Sequence, residues 1–245
     1  HECSSAASDV YKRQAVTDAL KDSTDIVGYS KYIDRVKDAS GKSFHPSDNR
    51  EEIDRAELSI NLALQGKKVV VVSSGDPGVF AMASAIFEVV DKKNISRDDL
   101  PIVVLPGITA LLAASARLGA PIGHDFCVIN LSDNLKSWDI LKSRVIAAAK
   151  ADFVIAFYNP RSKSRKNQLS EIYDVLRQNC QSDRIVIYAN SISTESEAIF
   201  ETTLSEADAS SVSMKTLVII GSSSTKKIRN TGYIYTPRYS GVEKN

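Results

Sequence analysis

Residues 69–72 are four consecutive valines. A β-branched run with no polar alternation offers no wet face, so it suits a strand covered on both sides, as in a parallel sheet flanked by helices. Ser73, Ser74, Gly75, Asp76, Pro77 and Gly78 follow, and then Phe80, Ala83, Ile86, Phe87 and Val90 recur at helical spacing. Residues 102–105 repeat the apolar run. Pro106 and Gly107 turn the chain into a small-residue helix over 108–118. This strand–helix alternation predicts an α/β fold with mostly parallel or mixed sheets.

Upstream, residues 15–21 look like the end of a helix, and Asp25–Tyr29 is a short apolar run. Asp48 is a candidate N-cap with Glu51 three residues on, as in a capping box. Residues 49–65 carry Ile53, Ala56, Ile60 and Leu64 at helical spacing, with Gly66 as the stop. Residues 119–125 concentrate glycine and proline, and the domain boundary is expected there: an N-terminal α/β domain over 15–122 and a C-terminal one over 123–245. The second half predicts strands at 126–131, 153–158, 184–189 and Thr216–Ile220, and helices at Trp138–Lys150 and 168–177. Ala198–Thr203 is a further segment able to pair. Residues 1–14, HECSSAASDVYKRQ, lack an apolar signal core and any strand or helix pattern, and are expected to be a disordered or foreign leader.

Charge is nearly balanced, 31 Lys plus Arg against 30 Asp plus Glu, which argues against nucleic acid or an anionic membrane as the main partner. No apolar run approaches the ~20 residues of a membrane span. Cys3, Cys127 and Cys180 are scattered and odd in number, as are His1, His45 and His124. This argues against a disulfide framework or a metal site and suits a reducing cytosol.

Three junctions offer chemistry, each a buried strand ending in turn residues where a ligand can meet backbone groups. The first is the Gly75-Asp76-Pro77-Gly78 loop. It is neither a P-loop nor GxGxxG, and its dipeptides are turn formers in their own right. The second is Pro106-Gly107-Ile108-Thr109-Ala110. The third, after Tyr158-Asn159-Pro160, gathers Arg161, Lys163, Arg165 and Lys166. It is a solvated basic loop or a clamp for a ligand with several carboxylates. No nucleophile elbow is present, so binding and positioning are expected to dominate the chemistry.

At these loops the sequence resembles the tetrapyrrole methylases, over residues 15 to 238. The GDP and PGITA loops carry the family resemblance. SDNREEIDRA, SSGDPGVFAMASAIFE, GAPIGHDFCVINLSDNLKSW, AFYNPRSKSR and TLVIIGSSST resemble the branch that methylates carbon 17 of the corrin precursor and contracts the ring. The resemblance implies two α/β domains with S-adenosylmethionine held between them, a cytoplasmic homodimer, and a precorrin or cobalt-precorrin tetrapyrrole as substrate. It places the cofactor beside Gly75, Asp76, Val79, Thr109, Ala110, Tyr158, Asn159, Ala189 and Gly221. The carboxylates of such a ring suit Arg50, Arg161, Lys163 and Arg165. Asp48, Asn49, Ser132 and Asp133 are candidates for orienting the macrocycle or moving protons. Family members begin with a strand and a glycine-rich loop, and the resemblance implies that residues 1–14 stand in their place. A sibling methylase acting at another ring carbon, a noncatalytic cofactor-binding remnant and a nucleotide-binding α/β protein remain open on sequence.

Overall fold

The computed structural model describes residues 6–36, 40–48, 51–162 and 165–238. They divide into two compact units, split between Thr109 and Ala110.

In the first unit, α1 (Ala6–Asp22) leads into β1 (Asp25–Tyr29), α2 (Ser30–Ile33), β2 (Ser43–Ser47), α3 (Glu52–Leu64), β3 (Val69–Val72) and α4 (Met82–Lys92). The strands form a parallel sheet in the order β2-β1-β3. From α3 and α4, Ala56, Ile60, Met82, Ala85 and Val89 bury together, with Val71 of β3 packed against them. Arg55 of α3 is buried as well. Its Nε donates to the Ser47 hydroxyl at 2.8 Å, and its guanidinium also bonds the Asp48 carbonyl and Met82 Sδ, tying the end of β2 to both helices.

Four expectations change here. The segment taken as patternless is helical from Ala6, because Ala6, Ala7, Lys12, Arg13 and Gln14 are helix formers that need no apolar stripe. The helix expected from residue 49 begins at Glu52, so Asp48 precedes the helix boundary. Half of the capping box forms, with the Asp48 N–H donating to the Glu51 carboxylate at 3.0 Å. The four valines of β3 are only half-buried, because β3 is an edge strand among the described residues. Residues 102–105 form no strand: a strand needs a partner ladder, none pairs with this segment among the described residues, and Val103 is 78% exposed.

The second unit opens with α5 (Ala110–Leu118) and β4 (Gly119–Ala120), followed by β5 (Phe126–Asn130), α6 (Trp138–Lys150), β6 (Val154–Tyr158), α7 (Gln168–Asn179), β7 (Ile185–Asn190), β8 (Ala198–Thr203), β9 (Thr216–Ile220), β10 (Lys226–Lys227) and β11 (Ile234–Tyr235). Its main sheet runs β5-β6-β9-β7-β8. β5 and β6 are parallel, while β9 is antiparallel to both β6 and β7. β10, β11 and β4 make a small second sheet.

Strand alternation divides the core of this unit. Ile155, Phe157, Val186, Tyr188, Val218 and Ile220 face α6 and α7, where Leu141, Val145, Leu169, Ile172 and Leu176 are buried. Val154, Ala156, Ile187, Ala189, Leu217 and Ile219 face Leu111, Ala114 and Leu118 of α5. That second face explains why the units divide before Ala110 rather than at the glycine–proline stretch 119–125. The helix after the Pro106-Gly107 turn lays its apolar stripe on the second sheet and belongs to it.

At the base of the first sheet, the Asp25 carboxylate accepts bonds from the Thr24 hydroxyl at 2.7 Å and the His45 ring at 2.8 Å. The Thr24 bond, then the His45 bond, hold its pKa below the usual carboxylate value. A lowered folded-state pKa stabilises above the unfolded value of about 4, and the benefit is lost as pH falls through the folded value. Asp25→Asn should therefore destabilise the protein near neutrality, and its deficit against the parent should shrink as pH drops below about 4. Thermal unfolding across that range checks this; a deficit that stays constant in acid would contradict it.

Candidate functional site

Two loops of the first unit meet backbone to backbone. Gly75 has φ +70°, a conformation that favours glycine. A Cβ on Gly107 would lie 2.0 Å from the Gly75 carbonyl oxygen, so the contact exists only because Gly107 has no side chain. Asp76 fastens the pair: one carboxylate oxygen accepts the Gly78 N–H at 2.8 Å and the other accepts the Gly107 N–H at 3.0 Å. The Val79 N–H bonds the Asp76 carbonyl at 3.2 Å. Gly75, Asp76, Val79 and Thr109, expected together from sequence, are thus brought together in one backbone cradle.

In the second unit, β5, β6 and β7 share a direction, so the loops that leave them lie along one edge of the sheet. Open α/β sheets bind ligands at such carboxyl ends. Asn159, Ser191 and Ser193 all carry left-handed φ there, of 50°, 48° and 63°. Non-glycine residues held in that region cost about 1–3 kcal/mol each at worst and cluster at functional sites. The Tyr158 hydroxyl accepts the Leu111 N–H at 2.9 Å, satisfying one of the free donors at the start of α5, whose first residue is Ala110. Asn159 Nδ2 donates to Asn130 Oδ1 at 3.1 Å, and the same oxygen accepts the Ser132 N–H at 2.9 Å. In the loop after β7, Glu197 accepts the Ser193 N–H at 2.7 Å and Arg117 Nε at 3.1 Å. The first of these bonds is the main cause of its lowered pKa.

The basic loop is less open than its sequence suggests. Arg161 NH1 donates to the carbonyls of Ala209 and Ser210 at 2.8 and 2.7 Å. Arg165 is buried, and its NH1 donates to the carbonyls of Leu131 and Asn159 at 3.0 and 3.2 Å. Its Nε lies 3.7 Å from Asp133. An arginine so engaged is not an exposed carboxylate clamp. Asn49, Arg50 and Lys163 lie outside the described residues.

Of two further expected cofactor residues, one lies at this carboxyl edge of the second sheet and one at the other. Ala189, the second-last residue of β7, pairs with Leu217 of β9 and so lies level with Tyr158 at the same carboxyl edge, its side chain in the core facing α5. Gly221 follows β9, whose last residue pairs with Ile155 and Val186 near the starts of β6 and β7. The antiparallel course of β9 thus sends Gly221 to the edge opposite Asn159, roughly 15 Å away at the rise of a strand. Sequence reasoning also passed over Asn130, the hub of the β5–β6 edge. Its only signal is a polar residue closing an apolar strand.

Among the described residues, no group of three or more His, Cys, Asp or Glu is arranged to hold a metal ion, and no helix is long and apolar enough to cross a membrane. The Cys127 thiol is pushed up by burial to about 11. What the two loop systems offer is positioned backbone and amide groups, suited to holding a ligand that brings its own reactivity.

The pattern of the tetrapyrrole (corrin/porphyrin) methylases matches residues 7–208. The chain belongs to that family. It is 44% identical over 231 residues to a precorrin-3B C(17)-methyltransferase from Sinorhizobium sp, covering 93% of this methylase and 91% of that protein. A probable cobalt-factor III C(17)-methyltransferase from Salmonella typhimurium is 38% identical over 222 residues, covering 90% of each. The crystal structure of the methyltransferase CobJ superposes with a TM-score of 0.86 at 47% identity, covering 91% of this methylase and 92% of that chain.

The cradle of the first unit makes a prediction about packing. Gly107→Ala should destabilise the methylase by about 1–3 kcal/mol, the range of overpacked interiors, because its methyl collides with a backbone carbonyl. Gly75→Ala meets nothing closer than 3.5 Å, so its cost is the left-handed backbone alone, about 1–2 kcal/mol. Chemical denaturation of both variants tests this, and a Gly107→Ala protein as stable as its parent would refute the contact.

Proposed function

We propose that this methylase transfers a methyl group from S-adenosylmethionine to carbon 17 of precorrin-3B, or of its cobalt-containing counterpart cobalt-factor III, with ring contraction, in cobalamin biosynthesis. The observation that carries this reading is the end-to-end similarity to carbon-17 methyltransferases, which spans both compact units. The two half-buried free thiols support a reducing, cytosolic setting.

The residues present fit the cofactor. The glycine contact between Gly75 and Gly107 leaves backbone accessible where a side chain would intrude, and Asp76 holds both loops in place. We assign Gly75, Asp76, Val79, Thr109 and Ala110 to the cofactor, with Tyr158 and Asn159 contributing from the second unit. S-adenosylmethionine supplies a methyl group already activated by its sulfonium charge, so the protein needs no nucleophile of its own. The residues have to align the acceptor carbon with that methyl group and keep it aligned, which by itself accounts for a large share of the rate in such displacements. Ser132 and Asp133, fixed at the carboxyl edge of the second sheet, are assigned to orienting the macrocycle, together with Asp48 and Asn49. Arg50, Arg161 and Lys163 are assigned to its carboxylates.

The test is incubation of the full chain with methyl-labelled S-adenosylmethionine and, separately, precorrin-3B and cobalt-factor III. Label at carbon 17 of a ring-contracted product, located by NMR, is the expected result. Label at a different ring carbon, or cofactor binding without transfer to either precursor, would replace this reading with another methylase or a binding protein.

A further inference from the structure

Arg165 carries a charge that the basic-loop reading aims at the substrate, yet the structure turns it inward. Its NH1 bonds the Leu131 carbonyl, just past β5, and the carbonyl of the left-handed Asn159, just past β6. Its Nε faces Asp133, whose other carboxylate oxygen meets Gln168 Nε2, on the first residue of α7, at 3.5 Å. Its NH2 lies 3.7 Å from Met214 Sδ, in the segment leading into β9. One guanidinium therefore spans the ends of β5 and β6, the start of α7 and the approach to β9. Releasing it to an external carboxylate would strip two carbonyls of a buried donor, a costly exchange.

We propose that Arg165 is a positioning residue, which bonds the carbonyls of Leu131 and Asn159 and pairs with Asp133 so that the loops leaving β5 and β6 are locked to each other. The lock reinforces the direct bonds between the same loops: Leu131 N–H to the Tyr158 carbonyl at 2.9 Å, and Asn159 and Ser132 to Asn130 Oδ1. Through it, Arg165 sets the placement of Ser132, Asp133, Tyr158 and Asn159, the second-unit residues assigned above to the substrate and cofactor. Lysine does not reproduce it, because NH1 bonds both carbonyls while Nε faces Asp133, and a single ammonium cannot occupy both nitrogen positions. The kinetic consequence rests on the proposed methyl transfer. The structural consequence does not.

The test compares Arg165→Lys with Arg177→Lys. Arg177 is a matched control, since it also ties carbonyls, those of Leu204 and Ala207, but from the last turn of α7. In Arg165→Lys, amide hydrogen exchange at Leu131 and Ser132 should quicken by about tenfold or more while most of the sheet stays protected. The fluorescence of Trp138, the only tryptophan and the first residue of α6 after this loop, should shift with it. kcat should fall by about tenfold to a hundredfold, as for a misplacement near 1 Å, with KM for cofactor and tetrapyrrole little changed. Arg177→Lys should lower the melting temperature and leave local exchange at Leu131 and kcat unaltered. A raised KM for the tetrapyrrole at constant kcat, shrinking in high salt, would make Arg165 a direct substrate clamp and overturn the proposal. Unchanged exchange at Leu131 would overturn it too. If the parent chain shows no methyl transfer, the proposed function fails, and the exchange and fluorescence results still decide the role of Arg165. Should Arg165→Lys and the neutral Arg165→Gln both fail to fold, a global structural role replaces the local one.

Discussion

The second unit depends on one strand inserted against the grain. β9 pairs antiparallel with β6 on one side and β7 on the other, and all five of its residues are buried. Because it separates two strands that run the same way, it keeps their carboxyl ends on one edge and sends its own end to the other. Its alternating residues feed both cores, Val218 and Ile220 toward α6 and α7, and Leu217 and Ile219 toward α5. Backbone pairing on both sides with apolar burial on both faces gives this strand no freedom to slip, since a one-residue shift would exchange the two faces. The loops that carry Asn159 and Ser191 inherit that rigidity.

Charged side chains then do the work of joining loops. Arg55, Asp76 and Arg165 each sit at or beside the exit of a strand and bond main-chain groups of a neighbouring segment. Loop backbone at a strand end has lost its ladder partners, and a buried unpaired carbonyl or N–H is costly. An arginine fork or an aspartate satisfies several such groups at once. Among the described residues every buried side-chain polar atom has a hydrogen-bond partner, which is consistent with that use of charge. In a methylase whose donor brings its own reactivity, holding loops still is a large part of what the protein contributes.

Much of the site was legible because it rests on local chemistry. The Gly75-Asp76-Pro77-Gly78 turn and the Pro106-Gly107 turn are visible as residue types, and the structure brings them into contact. Arg161 and Arg165 were visible as charges, but not their direction, since a basic loop has the same composition whether it faces solvent or its own carbonyls. The position of Gly221 was not legible for a related reason: the end of an apolar strand looks alike in either orientation, and only pairing shows that β9 runs backward and carries Gly221 to the opposite edge.

The sequence alone determined the fold class, most of the longer strands and helices, and the family, because each rests on short-range periodicity, turn chemistry and local motifs that survive without a partner. Tertiary structure decided what depends on neighbours distant along the chain. It assigned α5 to the second unit through its packing on β6, β7 and β9, and among the described residues it left 102–105 without a ladder and β3 at an edge. It also turned Arg165 inward, because a guanidinium beside two unpaired carbonyls and a carboxylate is held more strongly there than in water.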